Sequence, residues 1–274
     1  MHECPLSTAA YARAIRASAL KMVHEAKASH IGTCLSMADL LAVLYGRVLR
    51  LDPSRPGWLE RDRFILSKGH GAAAYFAALA HRGFFPAAWL DDYCKNGSKL
   101  AGHVVRRGVP GVELATGSLG HGLSVGCGLA LAARQQGAGY RTFVLLSDGE
   151  CDEGSVWEAA LFAGHHHLDR LVAVIDHNKI QSFGSVKEVL DLAPFADKWR
   201  AFRWAVREID GHDHAAVLKA LSEIPAASGQ PTAVIAHTIK GKGVRFMEEK
   251  LLWHYRSPDA QQLAAALAEV GGGP

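Results

Sequence analysis

Apolar and polar residues divide this chain into alternating strand-like and helix-like stretches. Residues 142–146 and 171–175 are short, unbroken apolar runs, with the length and character of strands buried on both faces of a parallel sheet. Between them, residues 155–164 put Val156, Ala159, Ala160 and Ala163 on one side of a helix. Strand, helix and strand in that order form a β-α-β crossover, which sets the two strands parallel in one sheet. The first run stops at Ser147-Asp148-Gly149 and the second at Asp176-His177-Asn178, so Asp148 and Asn178 both fall just past carboxyl ends of strands.

The same alternation continues on either side. Ala10, Ile15, Ala19, Met22, Val23 and Ala26 recur at helical spacing over residues 8–28. The chain then breaks at 29–33, and Ser36 is expected to cap a second helix over 37–49, with Asp39 in its first turn. Residues 51–63 read as a surface loop, 63–66 as a short strand and 72–81 as an alanine-rich helix. A helix and turn are expected over 84–98, carrying Trp89, Tyr93 and Cys94. Gly117, Gly120 and Gly122 precede a small-residue helix with Gly126 and Gly128 inside it. A helical glycine costs about 1 kcal/mol relative to alanine, so this pair predicts a tight helix–helix or subunit contact. A helix near 193–202, an alternating outer strand over 203–209, a turn at 210–213, a helix over 214–224, a strand over 232–238 and a last helix from Ser257-Pro258 to about Val270 complete the pattern. The class is α/β: a mostly parallel sheet with helices on both faces, in one domain over residues 1–274.

Composition narrows the function. A chain of 274 residues with net charge +3 and only short basic runs gives no indication of nucleic-acid binding. Cys4, Cys34, Cys94, Cys127 and Cys151 are odd in number, widely spaced and without a CxxC pair, which suggests reduced thiols and a cytoplasmic location. The amino terminus has no apolar leader-like core and no run reaches membrane-spanning length, so no membrane role is expected. The glycine-rich tail at 271–274 is expected to fray.

Candidate chemistry sits at the strand tips, the edge where open α/β sheets bind ligands. One carboxylate and one amide oxygen are hard ligands, suited to a magnesium ion that keeps substrate phosphates and water. Gly149 would let the backbone approach an anion, and the helix start beyond favours negative charge. Asp-Gly and Asn after strands are also ordinary turn residues; what sets this pair apart is its position at matching strand ends. His70, between Gly69 and Gly71, either presents its imidazole to a phosphate or only turns the chain into a helix. Lys240 and Lys242, in a glycine-rich loop after a strand, form an anion clamp or a solvated loop. Glu150 and Asp152 read as charges that favour a helix start, and His165, His166 and His167 as a solvated helix end, with weak metal binding the alternative.

The stretch from Asp148 to Asn178 resembles the thiamin diphosphate motif of transketolases, Gly-Asp-Gly followed some tens of residues later by Asn, with Ser147 in place of the first glycine. Other segments resemble the same family in the same order. His30-Ile31-Gly32 is similar to its Gly-His-Pro-Gly, and Ser67-Lys68-Gly69-His70-Gly71 to its Ser-x-Gly-His-Gly. Gly102-His103 is similar to Pro-Gly-His, Gly117-Ser118-Leu119-Gly120 to Gly-Pro-Leu-Gly, and Thr238-Ile239-Lys240-Gly241 to the start of Thr-x-Lys-Gly-x-Gly. The resemblance implies a thiamin diphosphate-binding fold with thiamin diphosphate and magnesium as cofactors. It implies Asp148, Asn178 and the Ile180 carbonyl as magnesium ligands, and Thr33, His70, Gly117, Leu119, Gly149, Glu153, Asn178, Lys240 and His254 as cofactor-site residues. His30, His103 and His254 would face the sugar or sugar-phosphate substrate as catalytic residues, and Glu153 would couple sites across a subunit interface. His121 stands where the family usually has glutamine.

Full-length transketolases continue into a pyrimidine-binding and a carboxy-terminal domain. The resemblance therefore implies the amino-terminal subunit of a split enzyme. It would transfer a two-carbon ketol unit while working in a heterotetramer with a carboxy-terminal transketolase subunit. A decarboxylating acyloin synthase of the deoxyxylulose-phosphate type and a non-catalytic, partner-binding paralogue are the alternatives.

Overall fold

The computed structural model describes residues 4–271; residues 272–274, most of the tail expected to fray, lie outside them. Five strands form one sheet: β1 (Arg63–Leu66), β2 (Thr142–Ser147), β3 (Leu171–His177), β4 (Ala205–Asp210) and β5 (Thr232–His237). All neighbours pair in parallel in the order β1-β2-β3-β5-β4, so the two apolar runs lie side by side and Ser147 pairs with Asp176 at their ends. β4 takes the edge, as its alternating sequence predicts, and its burial is correspondingly partial.

Alternate residues of the central strands enter different cores. Phe143, Leu145, Val172, Val174 and Val234 join one apolar cluster, while Val144, Leu146, Ala173, Ile175 and Ala233 join the other. Helices cover both faces, which is why the central strands read as continuous apolar runs. The larger cluster takes in α1 (Thr8–Glu25), α2 (Ile31–Ser36), α3 (Ala38–Val43) and α4 (Ala72–Arg82). The smaller one takes in α5 (Gly122–Gln135) and α6 (Gly154–His165). After α7 (Val186–Val189), α8 (Phe195–Ala201) adds Trp199 to the smaller cluster; α9 (His214–Ser222) and α10 (Ala260–Val270) return to the larger.

Several local expectations need correction. The segment after α1 does not wait for Ser36 to start a helix: α2 begins at Ile31, and the Ser36 hydroxyl donates to the Asp176 carboxylate (2.6 Å) and lies 3.0 Å from the Thr33 carbonyl. The helix expected over 37–49 is split, α3 giving way to a π-helical turn at Leu44–Val48. Residues 84–98 hold only a short 3₁₀ turn at Ala87–Asp92. The last helix starts at Ala260, where Asp259 and Gln262 form a capping box. Gly126 faces the sheet rather than another helix: a Cβ there would stand 2.6 Å from Val144 Cγ2, so it lets α5 lie close on the sheet. Gly128, in contrast, is exposed, and among the described residues nothing beyond its own helix backbone and chain neighbours lies within 4 Å of where its Cβ would be. Glu150 does sit in a helical first turn, at Gly149–Asp152, but it is wholly buried and bonded to Ser67 Oγ and to the backbone N–H groups of Gly120 (2.9 Å) and Ser147 (3.3 Å), a role beyond the one expected.

Candidate active site at the strand tips

A cavity of about 220 Å³ opens at the carboxyl ends of the central strands. It brings together His30, Thr33, His70, His103, Gly117, Leu119, Asp148, Gly149, Asn178, Ile180, Lys240 and His254 from across the sequence. Glu153 is absent from its walls and lies exposed at the N-cap of α6. His121 also points to solvent, its Nδ1 3.0 Å from the Leu119 carbonyl. Lys242 stays outside, its ammonium 3.9 Å from Glu248.

The floor is made by the tips of β2 and β3. Asp148 is only 1 % exposed, and its two carboxylate oxygens accept from the N–H groups of Gly149 (2.8 Å) and Lys179 (2.6 Å). Burial first, and then the charge of Asp176, push its carboxyl up to about 6. A buried carboxylate held with so little positive charge is a good ligand for a cation, which would relieve both effects. Asn178 is buried beside it, its Oδ1 accepting from the N–H of Ile180 (3.2 Å). The Ile180 carbonyl lines the same cavity and accepts from the Lys240 ammonium at 2.7 Å. Among the described residues no group of three or more His, Cys, Asp or Glu side chains could hold a metal. One carboxylate, one amide oxygen and one carbonyl are instead a sparse, hard oxygen set of the kind that binds magnesium together with phosphate. The residues present therefore fit magnesium diphosphate.

Lys240 forms one wall. It is 2 % exposed, and its ammonium also reaches the Gln181 carbonyl (3.3 Å) and His254 Nδ1 (3.1 Å). Burial lowers it to about 8, which leaves it predominantly charged at neutral pH. The adjoining wall is imidazole. The His30 ring lies 5.2 Å from that of His70, 5.8 Å from His103 and 4.9 Å from His254, centroid to centroid. Burial and neighbouring positive charge lower His30 to about 4 and His254 to about 3, and lower His70 well below its ordinary value. These three rings are thus neutral near pH 7 and can each donate one hydrogen bond and accept another.

Local sequence explains why the loops reach this geometry. His30 takes a left-handed backbone (φ 74°) at the start of α2, and its N–H donates to the His254 carbonyl (2.9 Å), tying two distant loops together. Gly32 is needed because a Cβ there would come within 3.1 Å of Lys240 Cγ and 3.3 Å of the Trp253 carbonyl. Gly149 lines the cavity, and a Cβ there would crowd Gln181 Cγ at 2.9 Å.

Beneath the floor lies a charged pair that sequence reasoning missed. Lys68 is wholly buried, bonded to Asp176 and to Thr33 Oγ1 (2.8 Å). Burial alone would raise Asp176, but the Lys68 ammonium and the hydroxyls of Ser36 and Thr238 outweigh it and hold the carboxyl below its ordinary value. A polar residue inside an apolar strand end was the available signal for Asp176. Lys68 gave none, since a lysine in a Ser-x-Gly turn normally faces water.

Residues 7–271 match the family described as "Transketolase, thiamine diphosphate binding domain". The 6-deoxy-6-sulfo-D-fructose transketolase subunit SqwG of Clostridium sp. (strain MSTE9) is 42% identical over 94% of this chain and 94% of its own length. An apulose-4-phosphate transketolase subunit of Actinobacillus succinogenes is 45% identical over 88% of this chain and 87% of its own. The solved transketolase of Leishmania mexicana superposes with a TM-score of 0.90 at 32% identity, covering 98% of this chain and 42% of that one.

Proposed function

The chain belongs to the transketolase thiamine diphosphate-binding family, and from that premise we propose that it is the amino-terminal subunit of a split transketolase that moves a two-carbon ketol unit from a ketose to an aldose. The observation that carries the reading is the convergence of the strand-tip oxygens, Lys240 and four histidines on one cavity. Thiamin diphosphate supplies the carbanion chemistry at its thiazolium ring when bound.

This chain's residues bind and orient. Asp148, Asn178 and the Ile180 carbonyl hold the magnesium, and Lys240 and His70 meet the diphosphate, with His254 beside them. Gly117, Leu119, Gly149 and Thr33 shape the walls around the cofactor. His30, His103 and His254 orient the sugar hydroxyls; His30 and His254, being neutral, can pass a proton without leaving a buried charge. Glu153 faces the partner. The partner is a carboxy-terminal transketolase subunit with the pyrimidine-binding domain, and the assembly is a heterotetramer. Support comes from the relatives named as subunits, which this chain matches over most of their length. Further support comes from the exposed Val125, Leu161 and Phe162 on α5 and α6, together with open space at Gly128. The whole of this chain acts as the single diphosphate-binding domain. Among the described residues no helix is long and apolar enough to cross a membrane. A cytoplasmic location is proposed on the five unpaired thiols.

The test is to combine this chain with the carboxy-terminal half and assay ketol transfer over a panel of ketose donors and aldose acceptors, including sulfonated and branched sugars. Transfer that needs both chains, magnesium and thiamin diphosphate supports the reading. Pyruvate turnover with release of carbon dioxide would instead identify an acyloin synthase.

A further inference from the structure

The turn Asp210-Gly211-His212-Asp213, between β4 and α9, lies outside the cavity and contributes nothing to its walls. Yet it touches the backbone immediately before Lys240. The Ile239 N–H donates to His212 Nε2 at 2.9 Å. That nitrogen is therefore unprotonated, and the ring proton is on Nδ1, which donates to Asp39 Oδ2 at 2.7 Å. Asp39 is fixed in turn: Arg16 donates to both its oxygens (3.0 and 2.6 Å), and His214 Nε2 lies 3.0 Å from Oδ1. Gly211 allows the approach, since a Cβ there would stand 2.5 Å from Thr238 Cγ2.

We propose that His212 is a positioning residue for Lys240: oriented by Asp39, it grips the loop from behind and sets where the ammonium meets the cofactor's diphosphate. The proposal rests on the reading of the cavity as a thiamin diphosphate site. The loop needs such a hold. Lys240 is followed by Gly241 and Gly243, both with left-handed backbones (φ 84° and 91°), so the chain beyond it is intrinsically flexible. Several bonds fix it: the Thr238 hydroxyl on Asp176 and the Thr238 N–H on the His177 carbonyl (3.2 Å), the Ile239 N–H on His212, the Lys240 carbonyl accepting from the Glu249 N–H (2.9 Å), and the Gly241 N–H on the Gly32 carbonyl (2.9 Å). The bond to His212 holds the peptide immediately before Lys240, from a side chain that does not line the cavity. Without it a part-buried N–H would be left without a partner, at a cost of about 1–3 kcal/mol.

Two substitutions separate the two bonds of the ring. His212→Asn places an amide where Nδ1 stands, so it can keep the bond to Asp39 but cannot reach Ile239. His212→Gln places an oxygen near Nε2, so it can accept from Ile239 but offers Asp39 nothing at Nδ1. His214→Ala, which weakens the hold on Asp39 without touching the loop, is the stability control. Amide hydrogen exchange is read at Ile239 in the chain alone, and thiamin diphosphate affinity in magnesium is read on the chain assembled with its partner. The expected result for H212N is exchange faster by roughly tenfold and cofactor affinity weaker by roughly tenfold, the size of one net hydrogen bond. H212Q stays within about threefold of the parent in both, and H214A lowers the melting temperature without changing Ile239 exchange. The proposal is overturned if H212N leaves exchange and affinity at parental values, or if all three variants change both in proportion to their melting temperatures. If the parental assembly takes up no thiamin diphosphate, the cofactor reading fails and the link to the diphosphate fails with it, while the exchange arm still decides whether His212 holds the loop.

Discussion

Asp148 carries the most weight of any single residue. Its carboxyl is raised to about 6 by burial and by Asp176, so its ionised form is less well accommodated in the folded chain than in the unfolded one until a cation arrives. Asp148→Asn should therefore leave the melting temperature of the chain unchanged or a few degrees higher, while magnesium-dependent cofactor uptake by the assembly falls by at least about a hundredfold. Differential scanning calorimetry and titration calorimetry read the two effects separately. The histidines make an opposite demand on pH. His30 and His254 are lowered to about 4 and 3, below the ordinary 6.5 of an exposed imidazole. On unfolding, each takes up a proton between those values, so stability from keeping them neutral is full above pH 6.5 and drains as pH falls toward 4 and then 3. Because both rings are partly exposed, the loss is discounted to about 1–2 kcal/mol in total. Urea denaturation of the chain at pH 7 and pH 4.5 should show it, and a histidine-to-asparagine change at both positions should flatten the slope.

The elements were legible to different degrees. The β-α-β unit that holds Asp148 and Asn178 follows from apolar runs and a helical period, because the runs are too short for helices and end at turn residues. The start of α2 does not: Ser29-His30-Ile31-Gly32 looks like a break, yet His30 accepts a left-handed backbone and a helix begins at Ile31, with Gly32 letting the Lys240 loop pack close against it. Glu150 reads as a helix-start charge because sequence cannot show that the Gly120 turn folds over it. In the same way, the Lys68–Asp176 pair and the His212 bond join residues far apart in the chain, and no local pattern encodes them. Glu150→Gln would set an amide N–H against either the Ser147 N–H or the Gly120 N–H. It should destabilise the chain by about 1–3 kcal/mol, measurable in urea. The two glycines of α5 should also part company. Gly126→Ala forces a Cβ into Val144 and should cost about 1–3 kcal/mol. Gly128→Ala meets open space and should stabilise the isolated chain by up to about 1 kcal/mol.

At the scale of the whole molecule, one sheet edge gathers loops from nearly the full length of the chain, from His30 to His254. That arrangement gathers buried oxygen ligands, an ammonium and imidazoles at one place, as the proposed binding of a cofactor's charged end requires. Leu161 and Phe162 are 57% and 40% exposed on α6, which follows directly from Glu153. Replacing both with glutamate should leave the chain folded and abolish assembly with the carboxy-terminal partner, as read by size-exclusion chromatography with light scattering.

The most direct measurement is titration calorimetry of thiamin diphosphate into the assembled complex, with and without magnesium, for the parental chain and for Asp148→Asn. Saturable uptake that needs the metal and vanishes in the variant is the predicted result. Uptake that ignores magnesium, survives the substitution, or never occurs would contradict the site at the strand tips.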